Sequence, residues 1–228
     1  MTFWSYFRDY DPPFGNRPFR NPPLGEADMT PRNATIDRKT NETEISVILE
    51  LDGTGSSDVQ TGIGFLDHLL DALGRHGRFD VKLRCKGDLQ VDDHHTTEDC
   101  GLALGSALQE ALGDRVGIAR FGYAYAPLDE ALARAVVDIS GRPFARIDLG
   151  LTRERLGELS CENIPHVLSS LATAAGITLH VDVLEGDNDH HRAEAAFKAV
   201  ALALRVAVGA SGFDDTPSTK GTIGGVSP

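Results

Sequence analysis

The motif His-His-x-x-Glu occurs twice in this chain of 228 residues, at residues 94–98 and again at residues 190–194. Imidazole nitrogens and carboxylate oxygens are good ligands for divalent transition ions, so the motif suggests metal chemistry. Two unrelated histidine pairs at solvated helix starts are the alternative, but identical spacing in both copies disfavours that interpretation. The repeat therefore predicts an internally duplicated protein that binds metal.

Helical spacing predicts how each motif holds an ion. Positions i and i+4 lie almost one above the other on a helix with about 3.6 residues per turn, so the first histidine and the glutamate of each motif form a pair. These pairs are His94 with Glu98 and His190 with Glu194. The second histidines, His95 and His191, point about 100° away around the helix. We predict that each of them binds the ion of the other motif.

A further histidine precedes each motif at a similar distance. His68 lies 26 residues before His94, and His166 lies 24 residues before His190. A histidine on an apolar helix face is usually a hydrogen-bonded core residue, but its recurrence in both halves favours a ligand. Each ion would then receive three histidines and one carboxylate, which leaves room in an octahedral shell for substrate atoms.

The order of the predicted elements also repeats between a first half, residues 34–115, and a second half, residues 116–210. The first half is predicted to contain strands at 44–51 and about 81–85 and helices at 64–74 and 94–112. The second half is predicted to contain strands at 118–125, 131–139, 144–149 and 177–183 and helices at 163–175 and 190–208. Asp93 and Asp189 are predicted to cap the motif helices, and Gly113 to end the first of them.

Residues 1–33 differ in composition from the rest of the chain. They contain six of the eleven prolines and seven of the fifteen aromatic residues, without a regular apolar period. We predict an irregular or disordered N-terminal extension, with an aromatic docking arm as the alternative. Met29 as the physiological start is a further hypothesis.

Composition limits the classes of partner. A net charge of -12 argues against nucleic acid or an anionic membrane as the main partner, although a local cluster of Arg and Lys can still hold a phosphate. No apolar run is long enough to span a membrane. The three cysteines are odd in number and lack CxxC spacing, which predicts reduced thiols in a cytoplasmic protein.

Five segments resemble imidazoleglycerol-phosphate dehydratase, an enzyme family of histidine biosynthesis. They are GIGFLDH at 62–68, DDHHTTED at 92–99, PLDEALAR at 127–134, DISGRP at 138–143 and NDHHR at 188–192. The resemblance covers the chain from residue 34 to residue 225 in order, and it leaves the N-terminal extension outside. It implies an α/β (α+β) fold built from a duplicated unit. Each half would be a four-stranded sheet backed by two helices, ribosomal protein S5 domain 2-like.

The resemblance also implies two Mn²⁺ ions per active site, and trimers that assemble into a 24-subunit shell. One ion would take His68, His95, His190 and Glu194, and the other would take His94, Glu98, His166 and His191. This agrees with the crossed pattern that helix geometry predicts. The family further implies that the ligands of one site come from different subunits.

The implied reaction is dehydration of imidazole glycerol phosphate to imidazole acetol phosphate. Its difficulty is that no carbonyl acidifies the C–H bond, so ions on both ring nitrogens would turn the imidazole into the electron sink. A carboxylate or histidine must move protons. The candidate catalytic residues are Glu42, Glu98, Glu194 and His68, and Glu42 matches a family glutamate that reaches the substrate.

Phosphate recognition needs cationic side chains and polar donors. The residues that match family substrate contacts are Glu42, Arg120, Arg142, Lys198, Ser218, Thr219 and Lys220. Lys198 lies eight residues after His190, about two turns along the same helix face, so it is expected to project towards the same cavity. Residues 211–228 are expected to form a phosphate-gripping tail, with Thr219 where serine is usual.

Two other functions fit a duplicated metal motif. A di-metal hydrolase would use a metal-bound hydroxide and would need no imidazole in its substrate. A non-catalytic protein would use the ions only to clamp an oligomer. Fold analogy alone does not choose among the three.

Overall fold

The structure is a computed structural model that describes residues 32–223. Nearly all of the predicted N-terminal extension, including Met29, therefore lies outside the described residues. Its last residue, Asn33, opens the first strand. Among the described residues, no helix has the length and apolar character needed to cross a membrane.

The first half contains four strands and two helices. These are β1 (Asn33–Lys39), β2 (Thr43–Glu50), β3 (Ser57–Gln60), α1 (Gly64–Gly77), β4 (Asp80–Gly87) and α2 (His94–Leu112). The strand order in the sheet is β1-β2-β4-β3, with β3 parallel to β4 and the other pairs antiparallel. Alternate residues of β2 are buried because one face of the sheet packs on α2.

The second half repeats this arrangement. Its main elements are β5 (Phe121–Leu128), β6 (Ala131–Asp138), β7 (Phe144–Asp148), α3 (Asn163–Ala175), β10 (Thr178–Glu185) and α4 (Asp189–Val208). The strand order is β5-β6-β10-β7, again with one parallel pair. A small hairpin of β8 (Arg155–Leu156) and β9 (Leu159–Ser160) precedes α3. The duplicated α/β unit, with two helices against each four-stranded sheet, is confirmed.

The four helices form the interior between the two sheets. Each sheet packs on the helices of its own half, and the halves meet where α2 lies against α3 and α1 lies against α4. Two glycines permit the close approach of α2 and α3. A Cβ atom at Gly101 would lie 2.6 Å from the Val167 carbonyl oxygen, and one at Gly105 would lie 2.4 Å from that of Leu171.

Helix prediction was more accurate than strand prediction. The bounds of α2 and α3 are as predicted, and α4 begins one residue earlier. The strands β1 and β3 were not predicted. The strand expected from residue 118 begins at Phe121, because residues 117–120 turn to pair with the end of α4 and with the tail.

The predicted capping by Asp93 and Asp189 is wrong. Asp93 occupies the N-cap position, but its carboxylate accepts hydrogen bonds from the backbone and hydroxyl of Ser160 instead of capping α2. The side chain that caps α4 is Asn188, which accepts from the His190 N–H. Asp189 accepts from the backbone N–H groups of Thr152 and Arg153. Both aspartates thus anchor the segment around the β8–β9 hairpin.

Candidate metal centre

The first group of candidate ligands lies between α1 and α4. His68 Nε2 is 2.9 Å from Glu194 Oε2, and His190 Nε2 is 3.3 Å from the same oxygen. One nitrogen or oxygen from each of the three side chains lies within 4.8 Å of the others. We call His68, His190 and Glu194 the α1/α4 cluster.

The second group is its counterpart between α2 and α3. Glu98 lies between two imidazoles, with His94 Nε2 3.7 Å from one carboxylate oxygen and His166 Nε2 3.6 Å from the other. The His94 and His166 rings stack with centroids 4.8 Å apart. The Nε2 atom of His166 is buried and has no hydrogen-bond partner among the described residues. We call His94, Glu98 and His166 the α2/α3 cluster.

Each cluster brings together three of the four ligands that were predicted for one ion. His95 and His191 belong to neither cluster within one chain. His95 Nδ1 lies 3.1 Å from Asp88, and His191 Nδ1 lies 2.7 Å from Glu130. The predicted crossing of these two histidines to the other motif's ion is therefore not assembled inside a single chain.

The carboxylates beside His95 and His191 alter their acid–base properties. The hydrogen bond with Asp88 raises the pKa of His95, and the hydrogen bond with Glu130 raises the pKa of His191. In return, the contact with His191 and the backbone N–H of Asn188 lower the pKa of Glu130 to about 2. A carboxylate on Nδ1 fixes the orientation of a ring and leaves Nε2 for another ligand.

The contacts at the Nδ1 atoms of the motif histidines are those expected of metal ligands. His94 Nδ1 also has a partner, Asn163 Oδ1 at 3.1 Å. In His94, His95 and His191 the Nδ1 side is thus engaged by the protein, as is common for metal-ligating histidines. The buried, unpaired Nε2 of His166 is a second indication, because a buried ring nitrogen normally has a partner.

Glu194 is strongly acidic in this environment. Burial raises the pKa of its carboxyl group, but hydrogen bonds with Lys198 and His68 outweigh that effect and bring the pKa to about 2. Lys198 Nζ lies 2.7 Å from Glu194, one helical turn further along α4. Lys198 therefore projects towards the α1/α4 cluster, as the sequence predicted.

Glu42 lies in the β1–β2 turn, outside both clusters. Its Oε1 atom is 3.6 Å from His95 Nε2, and about half of its side chain is exposed. The carboxylate thus faces the nitrogen of His95 that Asp88 leaves free. Counterparts in the second half are Glu130, which precedes β6 as Glu42 precedes β2, and Asp129, 4.0 Å from His191 Nε2.

The candidate phosphate contacts are only partly assembled. Arg120 donates to both oxygens of Asp138 and to the Pro217 carbonyl, which places the beginning of the Ser218–Lys220 segment beside it. Arg142 is exposed and donates to the Ser140 carbonyl at 3.3 Å. Within the tail, the Ser218 hydroxyl accepts from the Lys220 N–H, and Thr219 lies between them. Arg120 therefore connects the tail to the second sheet.

Sequence reasoning missed the residues that support the ligands: Asp88, Glu130 and Asn163. Asp88 lies seven residues before His95 but outside α2, so helical spacing does not predict their contact. Glu130 and Asn163 lie 61 and 69 residues from the histidines that they contact. The signal that could have identified the two acidic residues is general: carboxylates commonly accompany metal-ligating histidines.

The fold and the two clusters define an internally duplicated α/β protein whose paired helices carry His/Glu groups suited to divalent metal. A sequence model of the imidazoleglycerol-phosphate dehydratase family matches residues 61–204. The imidazoleglycerol-phosphate dehydratase of Kluyveromyces lactis is 54% identical over 84% of this chain and 97% of that protein. That of Phaffia rhodozyma is 57% identical over 84% and 96%. The chain belongs to the imidazoleglycerol-phosphate dehydratase family, and it is a hydro-lyase of histidine biosynthesis.

Coverage differs among the relatives. The enzyme of Phytophthora nicotianae is 62% identical over 84% of this chain, but the match spans 42% of that longer protein. Two solved structures share the fold. The Staphylococcus aureus enzyme has a TM-score of 0.71 at 35% identity, covering 78% of this chain and 99% of its own. The Pyrococcus furiosus enzyme, solved in complex with (S)-C348, has a TM-score of 0.72 at 35% identity, covering 82% and 100%.

Proposed function

We propose that this chain dehydrates imidazole glycerol phosphate to imidazole acetol phosphate with two Mn²⁺ ions per active site. The observation that carries the proposal is the pair of equivalent clusters, each with one carboxylate between two imidazoles. His/Glu ligation suits manganese and leaves coordination positions for a substrate. When bound, the ions would supply Lewis acidity at both nitrogens of the substrate ring.

The candidate catalytic residues separate into ligands and a proton carrier. Glu98 and Glu194 each lie between two histidines, and His68 is hydrogen-bonded to Glu194, so we assign these three residues to metal binding. Glu42 is the candidate carboxylate outside both clusters, and it is accessible at the edge of the site. We therefore assign proton transfer at the substrate to the Glu42 carboxylate.

Substrate phosphate would be held by the cationic groups near the tail and the α1/α4 cluster. Arg120 lies beside the tail, and Lys198 lies beside Glu194. Arg142, Ser218, Thr219 and Lys220 complete the proposed phosphate contacts. In this arrangement Lys198 would exchange part of its contact with Glu194 for the phosphate, while Arg120 keeps the tail in position through Pro217.

Self-association would complete each metal site. His95 and His191 face away from the clusters of their own chain, so we propose that neighbouring copies in a 24-subunit shell of trimers supply the fourth ligand of each ion. The outer face of the second sheet supports self-association. It exposes the aromatic side chains Phe121, Tyr123, Tyr125 and Phe144, and such a patch commonly marks an interface. The three free cysteines, two of them buried, support a cytoplasmic location.

The test is turnover of purified imidazole glycerol phosphate before and after removal of metal by a chelator. We expect turnover to disappear with the ions and to return when Mn²⁺ is added back. A triazole-bearing phosphonate mimic of the substrate should bind tightly only to the metal-loaded protein. Full turnover in protein shown by elemental analysis to lack metal would refute the proposal.

A further inference from the structure

A largely buried polar cluster with no assigned role lies in the first half, beside α2. It consists of Arg38 on β1, Thr43 at the start of β2 and Asp99 on α2. Thr43 is 3% exposed and Asp99 is 5% exposed. The Thr43 hydroxyl donates to the Asp99 carboxylate, and Arg38 forms an ion pair with the same carboxylate. We call these three residues the Asp99 cluster.

The second half shows which residues occupy the equivalent positions. Asp99 follows the glutamate of the first motif, and Ala195 follows the glutamate of the second. Thr43 opens β2 directly after Glu42, and Ala131 opens β6 directly after Glu130.

The strand ladders give the counterpart of Arg38. Arg38 pairs with Ile45, the third residue of β2, and Ala126 pairs with Ala133, the third residue of β6. The Asp99 cluster therefore corresponds to three alanines, each at most 1% exposed: Ala126, Ala131 and Ala195.

The three alanines of the second half show whether the Asp99 cluster is needed for folding or for function. The second half builds the same sheet and helix with alanine at all three positions, so the architecture does not require the charges. Removing the Asp99 carboxylate from water is costly, and so is the partial burial of Arg38, whose side chain is 34% exposed. Apolar replacements of such ion pairs are often neutral or stabilising. The Asp99 cluster thus adds a desolvation free energy to the first half that the second half avoids. This indicates that the cluster serves a function near the start of α2.

The cluster is connected to the turn that carries Glu42. The Thr40 hydroxyl accepts from the N–H of Glu42 at 3.1 Å and from the N–H of Thr43 at 3.0 Å. Thr43 in turn accepts from the Thr40 N–H at 2.9 Å through its carbonyl oxygen and donates to Asp99 through its hydroxyl. The turn is therefore fastened to α2 at the residue next to Glu98.

We propose that the Asp99 cluster is a positioning device that holds Glu42 in register with the metal ligands of α2. Asp99 touches neither substrate nor metal in this proposal; it acts through Thr43 on the turn of residues 40–42. The proposal rests on the proposed function in one respect, the role of Glu42 at the substrate. Arg38 forms an ion pair with the Asp99 carboxylate and so holds its orientation.

The direct test replaces the cluster with its counterpart from the second half. The variant Arg38→Ala/Thr43→Ala/Asp99→Ala leaves no unpaired buried charge, and we expect it to fold and to bind as much Mn²⁺ as wild type. Its kcat should fall about 10- to 100-fold, the effect of a small displacement of a catalytic group. In a Glu42→Ala background the same triple change should lower kcat less than about twofold, because residues that act through one another are not additive.

A second readout does not depend on the reaction. Hydrogen exchange at the amides of Glu42 and Thr43 should be at least about tenfold faster in the triple variant, because the turn loses its attachment. Thr43→Val replaces the hydroxyl with a methyl group and should accelerate exchange less than the triple variant does. Thr43→Ser keeps the hydroxyl and should exchange at the wild-type rate.

The outcomes separate this proposal from the proposed function. Absence of dehydratase turnover in metal-loaded wild type would refute the proposed function, while the exchange experiment would still decide whether the cluster holds the turn. Unchanged exchange in the triple variant would overturn the positioning role. So would a loss of kcat that is equally large with and without Glu42.

Discussion

The two halves of this enzyme place their candidate metal ligands with the same helix spacing but with different supporting residues. In the first half, Asp88 follows β4 and engages His95; in the second half, Glu130 in the β5–β6 turn engages His191. The spacing of His-His-x-x-Glu on a helix therefore fixes the ligand geometry in both halves. The carboxylate that engages the second histidine of each motif comes from a different position in each half. Glu42, the first-half counterpart of Glu130, is therefore not needed at Nδ1 of His95 and faces its Nε2 instead.

The interiors and outer faces differ as well. The Asp99 cluster of the first half is replaced by three buried alanines in the second. On the outer faces, a charge pair is reversed: Arg84 on β4 pairs with Asp58 on β3, whereas Asp182 on β10 pairs with Arg146 on β7. Equivalent architecture thus tolerates different charge distributions.

The largest expected effect comes from removing one ligand carboxylate from either half. Glu98→Gln and Glu194→Gln should each lower turnover by about 100- to 1,000-fold, because a neutral amide is a poorer ligand and the metal stabilises developing charge. Each variant should also lose one of the two ions, which elemental analysis would show. Retention of full metal content by one variant alone would show that the clusters are not equivalent.

Replacing the supporting carboxylates Asp88 and Glu130 should weaken metal binding less than replacing the ligand carboxylates does. Glu130→Gln and Asp88→Asn are each expected to reduce Mn²⁺ affinity about 10- to 100-fold, as measured by calorimetry. The effect of Glu130→Gln should be the larger, because Glu130 also accepts from the N–H groups of Asp187 at 3.2 Å and Asn188 at 2.9 Å. Equal affinities in both variants and wild type would mean that ring orientation does not depend on these carboxylates.

The contact between the halves offers a test of packing. Gly105→Ala places a Cβ 2.4 Å from the Leu171 carbonyl oxygen, so α3 must move away from α2. We expect a loss of about 1–3 kcal/mol in the free energy of unfolding, the usual cost of overpacking. Gly64→Ala is the control, since its Cβ meets nothing within 4 Å and the change should stay within about 0.5 kcal/mol. Equal stability of the two variants would contradict the close packing of α2 on α3.

The smallest expected effect concerns the reversed charge pair. The hydrogen bond from Arg134 and the contact with Arg146 lower the pKa of Asp182. A lowered folded-state pKa stabilises the protein above the unfolded value of about 3.9 and loses that contribution as pH falls through the folded value. Wild type should therefore melt slightly above Asp182→Asn at pH 7, and the difference should vanish in acid. A difference that grows in acid would contradict this assignment.

The sequence predicted the long helices and the proximity within each His/Glu pair because both depend on local spacing. His94 with Glu98 and His190 with Glu194 lie four residues apart, so one helix decides their geometry. His68 and His166 could be found because the repeat marks them twice. The supporting contacts of Asp88 and Glu130 depend on where strands end in three dimensions, which periodicity does not encode.

The helix caps and the Asp99 cluster also depend on tertiary contacts that local spacing does not encode. Asp93 and Asp189 precede their helices as capping residues do, yet their carboxylates are engaged by the β8–β9 segment, a tertiary contact. The Asp99 cluster joins β1, β2 and α2, and no local pattern marks it. The short strand β3 is recognisable mainly by its parallel pairing with β4.

A crystal structure of the Mn²⁺-loaded protein, with anomalous diffraction at the manganese edge, would test directly whether an ion binds at each cluster. We predict two peaks per chain, one at the α1/α4 cluster and one at the α2/α3 cluster. A neighbouring copy should supply His95 to the first ion and His191 to the second. A single ion per chain, or two ions that leave His95 and His191 on Asp88 and Glu130 without touching metal, would contradict the account.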